Sequence, residues 1–137
     1  MRKVFVMFGT LLIFVVLFGM AYVRVSPLDE AKWHTPVSAT ENADLTGGAV
    51  RVMDGDAETL AAFDKAILAE PRTHVLAGSV RSGHITYVTR SLVFGFPDMT
   101  TAQLVGGQLR IFARLRFGSS DLGVNRSRLE RVIAAIQ

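Results

Sequence analysis

The sequence predicts an α+β protein: one N-terminal transmembrane helix, then a small domain whose antiparallel sheet is covered by two helices. Three observations predict it. Val4 to Val23, VFVMFGTLLIFVVLFGMAYV, runs for 20 residues without a charge or a proline. Gln108 to Phe117 alternates apolar and polar residues with the period of a strand. Ala57 to Ala69 and the stretch after Asn125 carry apolar residues at helical spacing. A chain of 137 residues has room for one such domain and a short appendage.

The apolar run comes first. As a helix rising about 1.5 Å per residue it covers roughly 30 Å, the thickness of a bilayer's hydrocarbon core. A cleaved signal peptide would need a core of about 7–15 residues and a small-x-small cleavage site. The best candidate, Gly19-Met20-Ala21, lacks the polar approach such sites have. Residues 1–24 are therefore expected to be a retained anchor, in contact with membrane lipids through residues 4–23. Arg2 and Lys3 before the run nearly balance Arg24 and Lys32 after it. A three-residue tail ahead of the helix and a folded domain behind it favour a signal-anchor in the inner (plasma) membrane. The N-terminus would then be cytoplasmic and the domain periplasmic. Tyr22 and Trp33 would lie at the outer interface, and Phe14 and Phe18 would face lipid with Tyr22.

Residues 25–48 are rich in Pro, Ser, Thr, Asn and Gly and have no steady period, so they read as an extended tether. Residues 49–137 are the expected domain. Ala49 to Met53 alternates as a strand. Asp54-Gly55-Asp56 offers a turn and an N-cap for a helix from Ala57, with Leu60, Phe63 and Ile67 inward and Pro71 as the stop. Thr73–Val80 and His84–Ser91 flank the turn Arg81-Ser82-Gly83, and Leu92–Phe96 would extend the second strand until Pro97-Asp98 breaks it. Thr101–Val105 and Gln108–Phe117 flank Gly106-Gly107, a two-residue hairpin signal.

Along Gln108–Phe117, Leu109, Ile111, Ala113, Leu115 and Phe117 share one face. Arg110, Arg114 and Arg116 share the other with Phe112. The stretch FGSSDLGVNRSRLERVIAAIQ then leads into the final helix, with Leu129, Val132, Ile133 and Ile136 on one stripe. Gly118 and Gly123 permit unusual backbone angles, and Ser120, Asp121 and Asn125 are capping residues. Ser127 and Glu130 have capping-box spacing. A structural turn and helix cap explains every polar residue in the cluster.

Several pieces of the chain resemble the domain-of-unknown-function 1499 family of bacteria and plastids. They are Ala31-Lys32-Trp33-His34, Tyr87-Val88-Thr89-Arg90-Ser91, Phe94-Gly95-Phe96-Pro97-Asp98 and, above all, Gly118-Ser119-Ser120-Asp121-Leu122-Gly123-Val124-Asn125-Arg126. Where that family carries more serine among the arginines of the preceding strand, this chain has Phe112 and Ala113. The resemblance implies the extent of the domain and an exported setting; it implies no reaction.

Charge and composition narrow the function. Residues 25–80 hold four basic and nine acidic side chains, and residues 81–137 hold eight arginines against three acids. The basic balance is therefore local, and no nucleic-acid-binding motif accompanies it. The absence of cysteine removes disulfides, thiolate metal sites and cysteine nucleophiles. His74 and His84 flank one hairpin and can approach each other, but no third ligand is spaced to join them, so no metal is expected. Asp54 and Asp56 lack the rest of a calcium loop. Asp98 and Asp121 would suit acid–base chemistry only if brought together, and the sequence gives no reason for that. No nucleophile, Walker or dinucleotide motif occurs, so neither an enzyme nor a cofactor is expected.

Arg110, Arg114 and Arg116, with Arg90, are the candidate binding residues. Guanidinium forks suit an anionic ligand; the same face would also suit a partner protein or anionic lipid, or simply a solvated surface. The leading expectation is a non-enzymatic accessory or stabilising subunit of a larger inner-membrane complex, with energy-transducing assemblies in view. The alternative is a periplasmic binding module for an anionic ligand on the arginine face.

Overall fold

A computed structural model describes every residue from Met1 to Gln137. Helix α1, Arg2–Val25, is long and apolar enough to cross a membrane, and its large side chains are exposed along most of its length. Beyond it lie a short helix α2 (Glu30–Trp33), strands β1 (Ala43–Leu45) and β2 (Gly48–Asp54), and helix α3 (Ala57–Leu68). Strands β3 (Thr73–Ser79), β4 (His84–Arg90), β5 (Pro97–Val105) and β6 (Gln108–Leu115) follow, and helix α4 (Val124–Ala134) closes the chain. All strand pairs are antiparallel, in the order β1-β2-β6-β5-β4-β3. The α+β class holds.

Local chemistry sets the element ends. Asp56 caps α3 by accepting from the Thr59 amide and hydroxyl, each at 2.9 Å, a cap worth about 1 kcal/mol. Gly106 and Gly107, at φ 58° and 78°, make the β5–β6 turn that the dipeptide predicts.

The sheet has two differently covered faces. One carries Ile85, Tyr87, Ala102, Leu109, Ile111 and Ala113 beneath Leu60, Phe63 and Ile67 of α3 and Leu129 and Val132 of α4. Each large side chain buried there stabilises by roughly 1.5–3 kcal/mol. Two helices on one sheet face are as the patterning predicts.

The other face holds the corrections. Residues 25–48 are not an extended tether: 26–42 lie across the sheet as its second cover, and 43–48 enter the sheet itself. Val37 is buried, its amide donates to Gln103 Oε1 at 2.8 Å, and Asn42 accepts from the Val52 amide at 2.7 Å. β1 then pairs with β2. This cover works by single inserted side chains and side-chain-to-backbone hydrogen bonds, which leave no periodicity to read.

Leu92–Phe96 does not extend β4. The chain turns back on itself, with Ser91 N–H donating to Phe96 C=O and Phe96 N–H to Ser91 Oγ, both at 3.0 Å. Gly95 at φ 74° permits the turn, and Pro97 begins β5. The Ser127/Glu130 capping box does not form either. Ser127 N–H donates to Gly123 C=O inside the helix, and Glu130 pairs with Arg51 at 3.1 Å.

Candidate functional site

The expected arginine row is occupied by the chain itself. Arg114 donates to Trp33 C=O at 2.6 Å, Thr101 Oγ1 at 3.1 Å and Phe112 C=O at 3.2 Å. Its guanidinium lies over the rings of Phe112 and Trp33, 4.7 and 5.4 Å from their centroids. Burial without a carboxylate partner pulls Arg114 down to about 10. Arg110 folds back on Gln108. Arg116 donates to Ser26 Oγ at 3.0 Å and also reaches Ser26 C=O, while stacking on Phe117. Arg110 and Arg114 are thus not an open anion row; they bind the chain's own oxygens.

A polar chain continues inward from Arg114. Thr101 Oγ1 lies 3.0 Å from Thr86 Oγ1, which lies 2.9 Å from His34 Nδ1. The His34 ring stacks on His84 at 3.8 Å between centroids. His84 meets His34 rather than His74, which pairs across the hairpin with Val88. Burial, with His34 beside it, lowers the pKa of His84.

Arg90 leads elsewhere. It donates to Gly95 C=O at 2.9 Å and to Val23 C=O at 3.3 Å, satisfying a carbonyl in the last turn of α1. Arg24 reaches Val93 C=O at 2.9 Å. Arg24, Arg90 and Arg116 therefore gather where α1 meets the domain. The bonds of Arg24 and Arg90 tie the helix end to the 91–96 turn.

The turn before α4 forms the other concentration of polar groups. Asp121 accepts from the amides of Gly123 (2.9 Å) and Asn125 (3.0 Å), and its own amide is held by Thr46 C=O. Burial would raise its pKa, but these bonds outweigh that and hold it low. Gly118 and Gly123 take φ 94° and 79°, Gly123 being the residue before α4, while Ser120 makes only a local bond to Leu122 N–H. Asn125 is not a cap. It is fully buried, and its side-chain oxygen accepts from Arg128 at 2.8 Å.

Arg128, also buried, reaches Asp98 at 3.3 Å. Burial raises the pKa of Asp98, Arg128 pulls it back, and the nearby charge of Asp121 adds to the rise. The fold thus brings Asp98 and Asp121 to one place, around Asn125, whose buried amide nitrogen has no hydrogen-bond partner. Asp98 and Arg128 open on a cleft of about 550 Å³, bordered also by Glu70, Arg72, Arg90 and Arg131. Arg131 pairs with Glu70 at 2.8 Å. Arg72, at φ 59°, donates only to Arg90 C=O. Sequence reasoning missed Arg24, Arg72 and Arg128. Arg128 lies two residues past the motif that carries the family resemblance, and beside Leu129 it looks like one more exposed helix charge.

Fold and site together define a class: an α+β domain carried on a membrane-length helix, with the FGSSDLGVNR turn buttressing an arginine–carboxylate cluster. The chain belongs to the family described as protein of unknown function (DUF1499), whose model matches residues 31–136. That match begins beside Lys32 and Trp33, so it includes most of the segment laid across the second sheet face. A search of curated proteins finds no match.

Proposed function

We propose that this is a non-enzymatic single-pass protein of the inner (plasma) membrane, N-terminus cytoplasmic and domain periplasmic, serving as an accessory or stabilising subunit of a larger membrane complex. The observation that carries this reading is the stitching of helix to domain. Arg24, Arg90 and Arg116 bond across the junction to Val93, Val23 and Ser26. A flexibly tethered domain samples many orientations, whereas one fixed to its anchor presents the same surfaces at a constant height above the bilayer. That geometry suits lateral association with a membrane partner.

The test is isolation of the full chain from native membranes in mild detergent. Recovery in a discrete high-mass complex is expected; recovery of the chain solely as a free monomer would overturn the proposal. A second reading, binding of a small anionic ligand, finds its support in the cleft rather than on the sheet face. Arg72 borders that cleft with no carboxylate paired to it, in a backbone conformation that costs energy outside glycine. Loss of ligand on Arg72→Gln with the complex intact would favour this reading.

A further inference from the structure

The junction between α1 and the domain carries a feature that neither reading uses. The Ser91–Phe96 turn is strongly apolar yet exposed: Leu92 is 71% accessible and Val93 58%. Phe94 and Phe96, stacked at 5.4 Å, lean on α1 and leave a groove of about 250 Å³ against Val15, Gly19, Met20 and Val23. Val15 lies eight residues before Val23, so the groove runs about 12 Å down the helix, back from the polar residue Arg24. If α1 is embedded, the phenylalanines lie at the depth of acyl chains.

Directly at the polar end of that groove stand Arg24, Arg90 and Arg116. None of them pairs with a carboxylate, whereas Arg51, Arg126, Arg128 and Arg131 all do. Arg24 and Arg90 bond to carbonyls of the turn and of α1, so their positions are fixed. A guanidinium has five N–H donors, and these bonds leave several of them free on each. Burial, and then the neighbouring charges of Arg116 and Arg24, push the pKa of Arg90 down; an anion would relieve that repulsion.

We propose that this junction binds one anionic phospholipid, an acyl chain in the groove between α1 and the 91–96 turn and the headgroup phosphate on Arg24, Arg90 and Arg116. The inference rests on the reading that α1 lies in a bilayer. Arginine forks match phosphate oxygens, and the apolar groove continuous with them selects a lipid over a free phosphate. Leu92 and Val93 then face surrounding lipid, which accounts for their exposure.

The experiment uses the full chain in mild detergent, supplied with equal amounts of phosphatidylglycerol and phosphatidylcholine of identical chains and read by native mass spectrometry. A several-fold excess of retained phosphatidylglycerol is expected. Arg24→Gln, at an exposed side chain, and Arg116→Gln should each abolish that preference, while Arg126→Gln keeps it. Phe94→Ser should lower retention of both lipids. Each variant is scored only with a wild-type melting temperature.

Equal retention of the two lipids by the wild type, or a preference untouched by Arg24→Gln and Arg116→Gln, overturns the proposal in favour of unspecific lipid. Displacement of the lipid by excess glycerol 3-phosphate overturns it in favour of a soluble phosphate site. Alkaline carbonate extraction keeps the two ideas separate. Release of the chain from membranes defeats the anchor reading, whereas a carbonate-resistant chain without lipid preference defeats this inference alone.

Discussion

The two faces of the sheet solve the same problem with different chemistry. Toward α3 and α4 the contact is apolar, with Phe63, Ile67, Leu109, Ile111 and Leu129 fully buried. Toward residues 26–42 it is mixed. Val37, Val88 and Met99 supply apolar area, but Arg114, Thr86, Thr101 and His34 form a connected polar chain among them. Hydrophobic burial is non-directional and tolerates small displacements, whereas hydrogen bonds to a buried guanidinium demand a partner at each donor. The first face should therefore supply most of the stability. The second should fix where the N-terminal segment, and with it the helix end, lies on the sheet.

The largest effect that sharpens this contrast belongs to the apolar face. Phe63→Ala removes a fully buried ring that meets Tyr87 edge-on at 6.2 Å, and should cost about 3–5 kcal/mol. Urea unfolding of the full chain in detergent reads this out. A loss below about 1 kcal/mol would mean that α3 is not the main cover. Loss on this scale should also expose the Val37 amide only as part of global unfolding, with no separate opening of the segment.

The next effect should be local. Arg114→Ala deletes three hydrogen bonds and two ring contacts, leaving Trp33 C=O, Phe112 C=O and Thr101 Oγ1 without their charged donor. Hydrogen bonds involving a charged group contribute about 1.5–3 kcal/mol, so a loss of that order is expected. The distinguishing measurement is hydrogen exchange. The Val37 amide, held by Gln103, should exchange faster than amides of β5 and β6, showing the segment lifting while the helix-covered core stays closed. Uniform acceleration across the sheet would erase the proposed division between the faces.

This contrast also explains what was legible in the sequence. Leu109, Ile111 and Ala113 alternate, and Leu60, Phe63 and Ile67 repeat at helical spacing, because one continuous surface buries them; period follows from burial. The same alternation correctly put Arg110, Arg114 and Arg116 on the opposite face, but alternation cannot say what covers a face. The cover, residues 26–42, contacts the sheet through isolated groups such as Trp33, Val37 and Asn42, and isolated groups have no period. The cleft was hidden for a related reason. Asp98 and Asp121 are 23 positions apart and meet only because β5 and the start of α4 converge, which is a property of tertiary packing. Leu92–Phe96 reads as strand because its apolar run matches a strand's composition; Gly95 and the Ser91 side chain close it into a turn instead.

The smallest effect is one of pH, and it should act on the second face alone. His84 stacks on His34, its Nε2 is buried without a partner, and its pKa lies below the ordinary histidine value through burial and the neighbouring His34 ring. The unfolded chain titrates this histidine near about 6.5. Between the unfolded and the lower folded pKa, the unfolded state binds more protons, so stability falls as pH falls through that window and levels off below it. Asp98, whose folded pKa is raised, acts in the opposite sense, from the unfolded carboxylate value upward. The melting temperature should therefore drop on going from pH 7.5 to 5.5, and His84→Gln should flatten that part of the profile. Exchange at the Val37 amide should rise over the same interval, because protonating His84 places charge against His34 beneath the segment. A wild-type profile flat above pH 5.5, or a slope that survives His84→Gln, would show that the histidine pair does not govern how the N-terminal cover is held.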